Sequence, residues 1–161
     1  MKLALEYTQA VKEGLMKVWI SGVVHGSRMD GGMHGQEYRE RIRLALAARY
    51  HDVTLASPLE MLDDVEENKE AVFFRQIGEV ITADVLVAYL PEASMGASIE
   101  MWEAWKNSRP IITISPLSDT WTVRYLSSIT VSDLDAFEAR TADGSFDSFL
   151  LDRYERPRQS R

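Results

Sequence analysis

Two stretches of the chain are apolar almost without interruption: Asp84-Val85-Leu86-Val87-Ala88-Tyr89-Leu90 and Pro110-Ile111-Ile112-Thr113-Ile114-Ser115. A strand with one wet face alternates apolar and polar residues, whereas continuous runs like these belong to strands covered on both faces, as in parallel sheets. Lys17-Val18-Trp19-Ile20-Ser21-Gly22 and Asp52-Val53-Thr54-Leu55-Ala56 read the same way, and Ser128-Ile129-Thr130-Val131 supplies a fifth strand. Between the strands, apolar positions recur at helical spacing. Tyr38, Ile42, Leu44, Ala45 and Ala48 mark a helix over 36–50, and Ala71, Phe74, Ile77 and Ile81 mark one over 65–82. Further helices are predicted over 97–106 and 146–154, and residues 2–14 read as an extra amphipathic helix ahead of the first strand. Strands alternating with helices require right-handed crossovers. The expected fold class is therefore α/β, a three-layer sandwich with a five-stranded parallel sheet, flavodoxin-like or Rossmann-like.

The 161 residues suit one domain, 1–161, and 45% hydrophobic with 27% charged residues is enough to build a core without staples. The basic end, 156–161, reads as a frayed tail. Twenty-five acidic against eighteen basic residues give a net charge of -7, which repels phosphate backbones and argues against a nucleic acid polymer as partner. With no cysteine, disulfides, a thiolate nucleophile and zinc–thiolate sites are excluded. No apolar run approaches the roughly 20 residues of a membrane span, and Met1-Lys2-Leu3-Ala4-Leu5-Glu6 places an acid where a signal peptide stays apolar. The expectation is a cytoplasmic protein with no membrane partner. His25, His34 and His51 lack metal-binding spacing, so no metal and no cofactor is expected.

In an open parallel sheet, ligands bind beyond the carboxyl ends of the strands, which directs attention to the loops there. The loop from Gly22 to Gly35 carries five glycines, His25, His34 and Arg28. Glycine lets main-chain N–H groups approach an anion, although its spacing here matches neither a Walker A loop nor GxGxxG. Ser94-Met95-Gly96-Ala97-Ser98-Ile99-Glu100 follows the most apolar strand and opens a helix, so Ser94 and the amides near Gly96 can form a phosphate cup. Glu100 would face the same crevice, while the helix dipole alone also favours an acid so early in a helix. Trp102, Trp105 and Trp121 read as core or subunit interface, and Asp63-Asp64 with Glu66-Glu67 as a solvated helix start.

The run Ala83-Asp84-Val85-Leu86-Val87-Ala88, continuing through Ser94-Met95-Gly96 to Glu100 and Ala104, resembles the nucleoside 2-deoxyribosyltransferase superfamily. It is more closely similar to the 2'-deoxynucleoside 5'-monophosphate N-glycosidase branch. The first strand with its glycine loop, the helix from Tyr38 to Ile42 and the closing Leu150-Leu151-Asp152-Arg153-Tyr154 extend the resemblance over most of the chain. It implies that Glu100 attacks the anomeric carbon C1' and displaces the base, a role suited to a carboxylate facing an oxocarbenium-like transition state. It also implies phosphate contacts from Gly22, His25, Ser27, Arg28, Ser94 and Gly96. Nucleoside-using members tend to carry aspartate at Ser94; serine favours a 5'-monophosphate because a hydroxyl donates to phosphate without repelling it.

Three positions depart from the family pattern. Trp19 stands where a tyrosine is common, Ser98 where glycine is usual beside the substrate, and Gln76 where the family commonly has a second acid near the base. An amide can bind a base but cannot protonate it as it leaves. The leading expectation is hydrolysis of a nucleoside 5'-monophosphate to base and sugar 5-phosphate. Transfer of the sugar to a second base and a non-catalytic nucleotide sensor stay open as alternatives. The expected partners are a small-molecule nucleotide and, from the resemblance, a second copy in a homodimer.

Overall fold

A computed structural model of the chain describes residues 16–25, 29–30, 32–50, 54–57 and 69–154. Ser27, Arg28, the helix expected over 2–14, the acidic run at 63–67 and the tail at 156–161 lie outside the described residues. The elements run β1 (Lys17–Gly22), α1 (Glu37–Arg49), β2 (Thr54–Ala56), α2 (Lys69–Thr82), β3 (Val85–Tyr89), α3 (Met95–Lys106), β4 (Ile111–Ile114), α4 (Trp121–Leu126), β5 (Ile129–Val131), α5 (Leu134–Ala142) and α6 (Asp147–Tyr154). All pairings are parallel, and the strand order is β2-β1-β3-β4-β5, the flavodoxin-like winding.

Alternation along each strand sorts the side chains into two cores. Val18, Ile20, Val85, Val87, Ile112 and Ile114 face one layer, where Ile42 and Leu46 of α1, Phe137 of α5 and Leu150 of α6 meet them. Trp19, Leu86, Ala88 and Ile111 face the other, against Val80 of α2, Ala97 and Met101 of α3 and Val123 of α4. The central strands β3 and β4 are thus apolar at nearly every position, Thr113 being the exception, because both faces are covered. Phe137 is fully buried, its ring 5.7 Å from that of Phe146. Truncating it to alanine should cost about 3–5 kcal/mol. No described helix is long and apolar enough to cross a membrane.

Local signals set the element ends. Ser94 caps α3 by accepting from the Ala97 amide at 3.4 Å, so the helix begins at Met95, two residues before the sequence pattern placed it. At its far end Ser108 takes the left-handed conformation (φ 55°), and Pro110 follows two residues later, where a helix could not continue. Asp133 caps α5 by accepting from Ala136 N at 2.8 Å. Neither α4 nor α5 was expected from the sequence. Of the two readings of Trp102, Trp105 and Trp121, core or subunit interface, exposures of 48%, 48% and 80% exclude the core. These residues lie on the outer sides of α3 and α4, whose inner faces are occupied by smaller residues.

Candidate functional site

The winding changes direction between β1 and β3, and a cleft opens beyond their carboxyl ends. Its volume is about 340 Å³. Gly22, Val24 and His25 form one wall where the chain leaves β1; Ser94, Gly96 and Glu100 form another at the start of α3. Phe73, Gln76 and Ile77 of α2 close the third side, with Met95 and Ile99 at the rim. Register explains the meeting: Gly22 pairs with Tyr89, so the segments leaving β1 and β3 emerge side by side.

Six of the residues expected at the site, Gly22, His25, Gln76, Ser94, Gly96 and Glu100, therefore share one cleft. Ser98 is not among its lining residues; its hydroxyl turns back along the helix and donates to the Ser94 carbonyl at 2.8 Å. Ser94 is buried, and its cap bond uses the oxygen as acceptor, so the hydroxyl proton is not spent on the helix. Gly96 has open space where a Cβ would be, consistent with access to the first turn of α3. His25 is exposed, its Nδ1 3.4 Å from the Gly32 carbonyl.

Glu100 is the buried charge of the site, 7% exposed, with the Ser21 hydroxyl donating to its Oε2. Burial pushes its carboxyl up from 4.5 to about 6. The Ser21 hydrogen bond opposes this first, then the Arg39 guanidinium. The Trp19 indole N–H, itself fully buried, adds a smaller opposing effect without a hydrogen bond of regular geometry. The carboxylate is thus ionised at neutral pH yet poorly solvated, which is the condition of a reactive nucleophile or charge stabiliser.

Of the residues behind Glu100, the sequence reading singled out only Trp19, as a departure from the family pattern, and missed the roles of Ser21, Tyr38 and Arg39. Ser21 and Trp19 sit in a strand, and Tyr38 and Arg39 open α1, where they read as an apolar contact and a surface charge. Arg39 is instead 6% exposed, because its Nη1 donates to the Ile20 carbonyl and its Nε to Gln36 Oε1 at 2.9 Å. Its guanidinium lies 4.9 Å over the Tyr38 ring. Burial raises the Tyr38 phenol to about 12, with the negative field of Glu100 adding to the rise and Arg39 opposing it, so it stays a neutral donor. A Cβ on Gly22 would lie 2.5 Å from the Tyr38 hydroxyl and 2.9 Å from its ring. Packing against Tyr38 therefore requires glycine at position 22, whatever ligand approaches it. Gln36 Nε2 donates to the carbonyls of Val23 (3.1 Å) and His34 (2.7 Å), and His34 Nε2 lies 2.9 Å from Glu92 Oε1. Those contacts tie the segment after β1 to the segment after β3.

No protein-family model matches the sequence, and no curated protein matches it. Among solved structures, a 2-deoxyribosyltransferase from the psychrotolerant bacterium Bacillus psychrosaccharolyticus is similar, with a TM-score of 0.58 at 15% identity over 76% of this chain and 90% of that one. A conserved protein from Enterococcus faecalis is similar with a TM-score of 0.55 at 14% identity, over 80% of this chain and 98% of that one. At such identities the likeness is one of fold: this chain has the same doubly wound architecture as a 2-deoxyribosyltransferase.

Proposed function

We propose that the protein cleaves the N-glycosidic bond of a nucleoside 5'-monophosphate, with Glu100 as nucleophile, releasing the base and a sugar 5-phosphate. The observation that carries this reading is a buried carboxylate and an accessible helix N-terminus sharing one cleft. The first turn of α3 offers unpaired N–H groups and partial positive charge to the phosphate, with the Ser94 hydroxyl and His25 as further donors. With the phosphate there, the sugar lies along the helix toward Glu100 and the base toward Phe73 and Ile77.

In the first step Glu100 attacks C1', the C1'–N bond breaks and its electron pair leaves with the base. Attack of water on the glycosyl ester then frees the sugar phosphate and restores the carboxylate. A second base in place of water gives transfer, the reaction of a deoxyribosyltransferase. Incubation with a panel of ribo- and deoxyribonucleoside monophosphates, followed by chromatography, tests the proposal. Free base and sugar phosphate should accumulate with the parent and not with Glu100→Gln. Binding without release across the whole panel overturns the reading in favour of a nucleotide sensor, the alternative that Gln76 in place of an acid favours.

The proposal extends to a homodimer, supported by the outward-facing aromatic residues. The Trp102 and Trp105 rings stack at 5.3 Å, and Trp121 sits edge-on to Tyr125, which is itself 64% exposed. Light scattering at micromolar concentration should give twice the 18.3 kDa chain mass; a purely monomeric mass overturns the extension.

A further inference from the structure

Cleaving a glycosidic bond requires that the departing nitrogen accept an electron pair. A neutral nucleobase does so readily only when an acid protonates it, a contribution worth about 100-fold or more. Among the described residues lining the cleft, Glu100 is the only carboxyl and His25 the only other ionisable side chain. Both already have other parts in the proposed reaction, His25 beside the phosphate and Glu100 at the sugar. Among the described residues, the wall that would face the base consists of Phe73, Ile77 and the Gln76 amide, and none of these can donate a proton to a leaving nitrogen.

A leaving group that already carries positive charge needs no acid. From this, resting on the function proposed above, we infer that the preferred substrate is a nucleoside 5'-monophosphate whose base is cationic at the glycosidic ring, of the pyridinium or N7-alkylpurinium type. As the C1'–N bond breaks, its electron pair neutralises the ring cation and the base departs neutral, while Glu100 forms the new bond to C1'. No proton enters or leaves in this step.

The surroundings suit such a ring. Phe73, 41% exposed and lining the cleft, is an aromatic ring, against whose face a flat cation gains more than a neutral base does. The buried Glu100 carboxylate attracts positive charge on the part of the substrate nearest to it, in a largely apolar cleft. Gln76 adds an amide that can hydrogen-bond a carboxamide or carbonyl on the ring without repelling its charge.

The test compares two nucleotides that differ by one methyl group, N7-methylguanosine 5'-monophosphate and guanosine 5'-monophosphate, with the matching deoxyribose pair run in parallel. Nicotinamide mononucleotide serves as the pyridinium probe. The parent should release N7-methylguanine at least about 100-fold faster, in kcat/KM, than guanine. Gln76→Glu, which keeps the size of the side chain and restores an acid, should raise guanine release far more than N7-methylguanine release and so narrow the ratio. A merely structural role for Gln76 would move both rates together. A ratio near one in the parent, or a ratio unmoved by Gln76→Glu, overturns the inference while leaving the glycosidase reading intact. Failure to cleave either member of either pair, or the pyridinium probe, overturns both.

Discussion

Replacing Glu100 by glutamine should stabilise the protein at neutral pH even as it removes turnover. In the unfolded chain this carboxyl titrates near its ordinary 4.5; in the fold, burial moves it to about 6. Each tenfold change in proton affinity corresponds to about 1.4 kcal/mol, so the ionised group opposes folding by about 2 kcal/mol. The sign follows from which state loses its proton first. Below pH 4.5 the side chain is neutral in both states and the penalty is absent. As pH rises from 4.5 to about 6 the unfolded chain ionises while the fold holds its proton, and stability falls. Above about 6 both are ionised and the penalty is constant. Glutamine resembles the protonated acid, keeps an oxygen for the Ser21 hydroxyl and never ionises.

For a chain of this length about 2 kcal/mol corresponds to a rise in Tm of about 4–8 °C. Thermal unfolding of parent and variant, measured in parallel at pH 4.5 and pH 8, isolates the effect, because every other titrating group is common to both. The variant should melt higher at pH 8, and at pH 4.5, where the unfolded carboxyl is half-ionised, the gap should shrink to about a fifth. A gap that is absent at pH 8, or is the same at both pH values, would refute the claim that burial of this charge is the dominant strain in the site. Such a gain in stability with loss of activity is expected wherever a fold tolerates an unfavourable group for its chemistry.

Three further outcomes follow from the same geometry. Gly22→Ala drives a methyl into the Tyr38 ring and hydroxyl, and chemical denaturation should show a loss of about 1–3 kcal/mol, partly recovered in the double variant with Tyr38→Phe. Ser21→Ala removes the strongest opposition to the upward shift of Glu100, so the acid limb of the pH–rate profile should move above about 6; an unmoved limb would mean that Ser21 does not hold the reacting carboxylate. Ser94→Asp keeps a good helix cap, so the Tm should change little, while binding of a monophosphate, followed calorimetrically, should weaken tenfold or more through charge repulsion.

The sequence pattern made the central strands and the helices on either side of them legible because a strand buried on both faces leaves a continuous apolar run. The short α4 left no such trace: of its six residues only Val123 is buried, and Trp121 and Tyr125 face outward. In α5 the signal was present and passed over, since Asp133 precedes Leu134, Phe137 and Thr141 at helical spacing, the mark of a capped amphipathic helix. At the site, Ser94 and Glu100 could be read because they follow a strong strand and open a helix. Arg39 could not, because an arginine on an amphipathic helix ordinarily faces water. Here the carbonyl of Ile20, at the end of β1, takes its guanidinium inward. Contacts across more than fifteen residues of sequence carry no local signature.

The polar character of this edge arises partly from the fold itself. Ser21 near the end of β1, Ser57 after β2, Ser94 after β3 and Ser115 after β4 are all buried, and all sit along the carboxyl edge of the sheet. Strand carbonyls run out of partners there, and helix amides begin unpaired, so small hydroxyls are retained to meet them. Ser115 shows the scaffold use: it donates to the Leu90 carbonyl at 2.6 Å and accepts from Leu117 N at 3.0 Å, joining the exits of β3 and β4. The opposite edge is secured differently, with Lys17 N bound to Asp84 Oδ2 at 2.9 Å and its Nζ to Glu79 and Thr82. Neutral hydroxyls along an edge therefore do not by themselves mark a site. What sets the cleft between β1 and β3 apart is the addition of a carboxylate that the scaffold does not need. Ser21 is directed at that carboxylate rather than at the backbone, so one hydroxyl of the edge is committed to Glu100 instead of to holding the sheet.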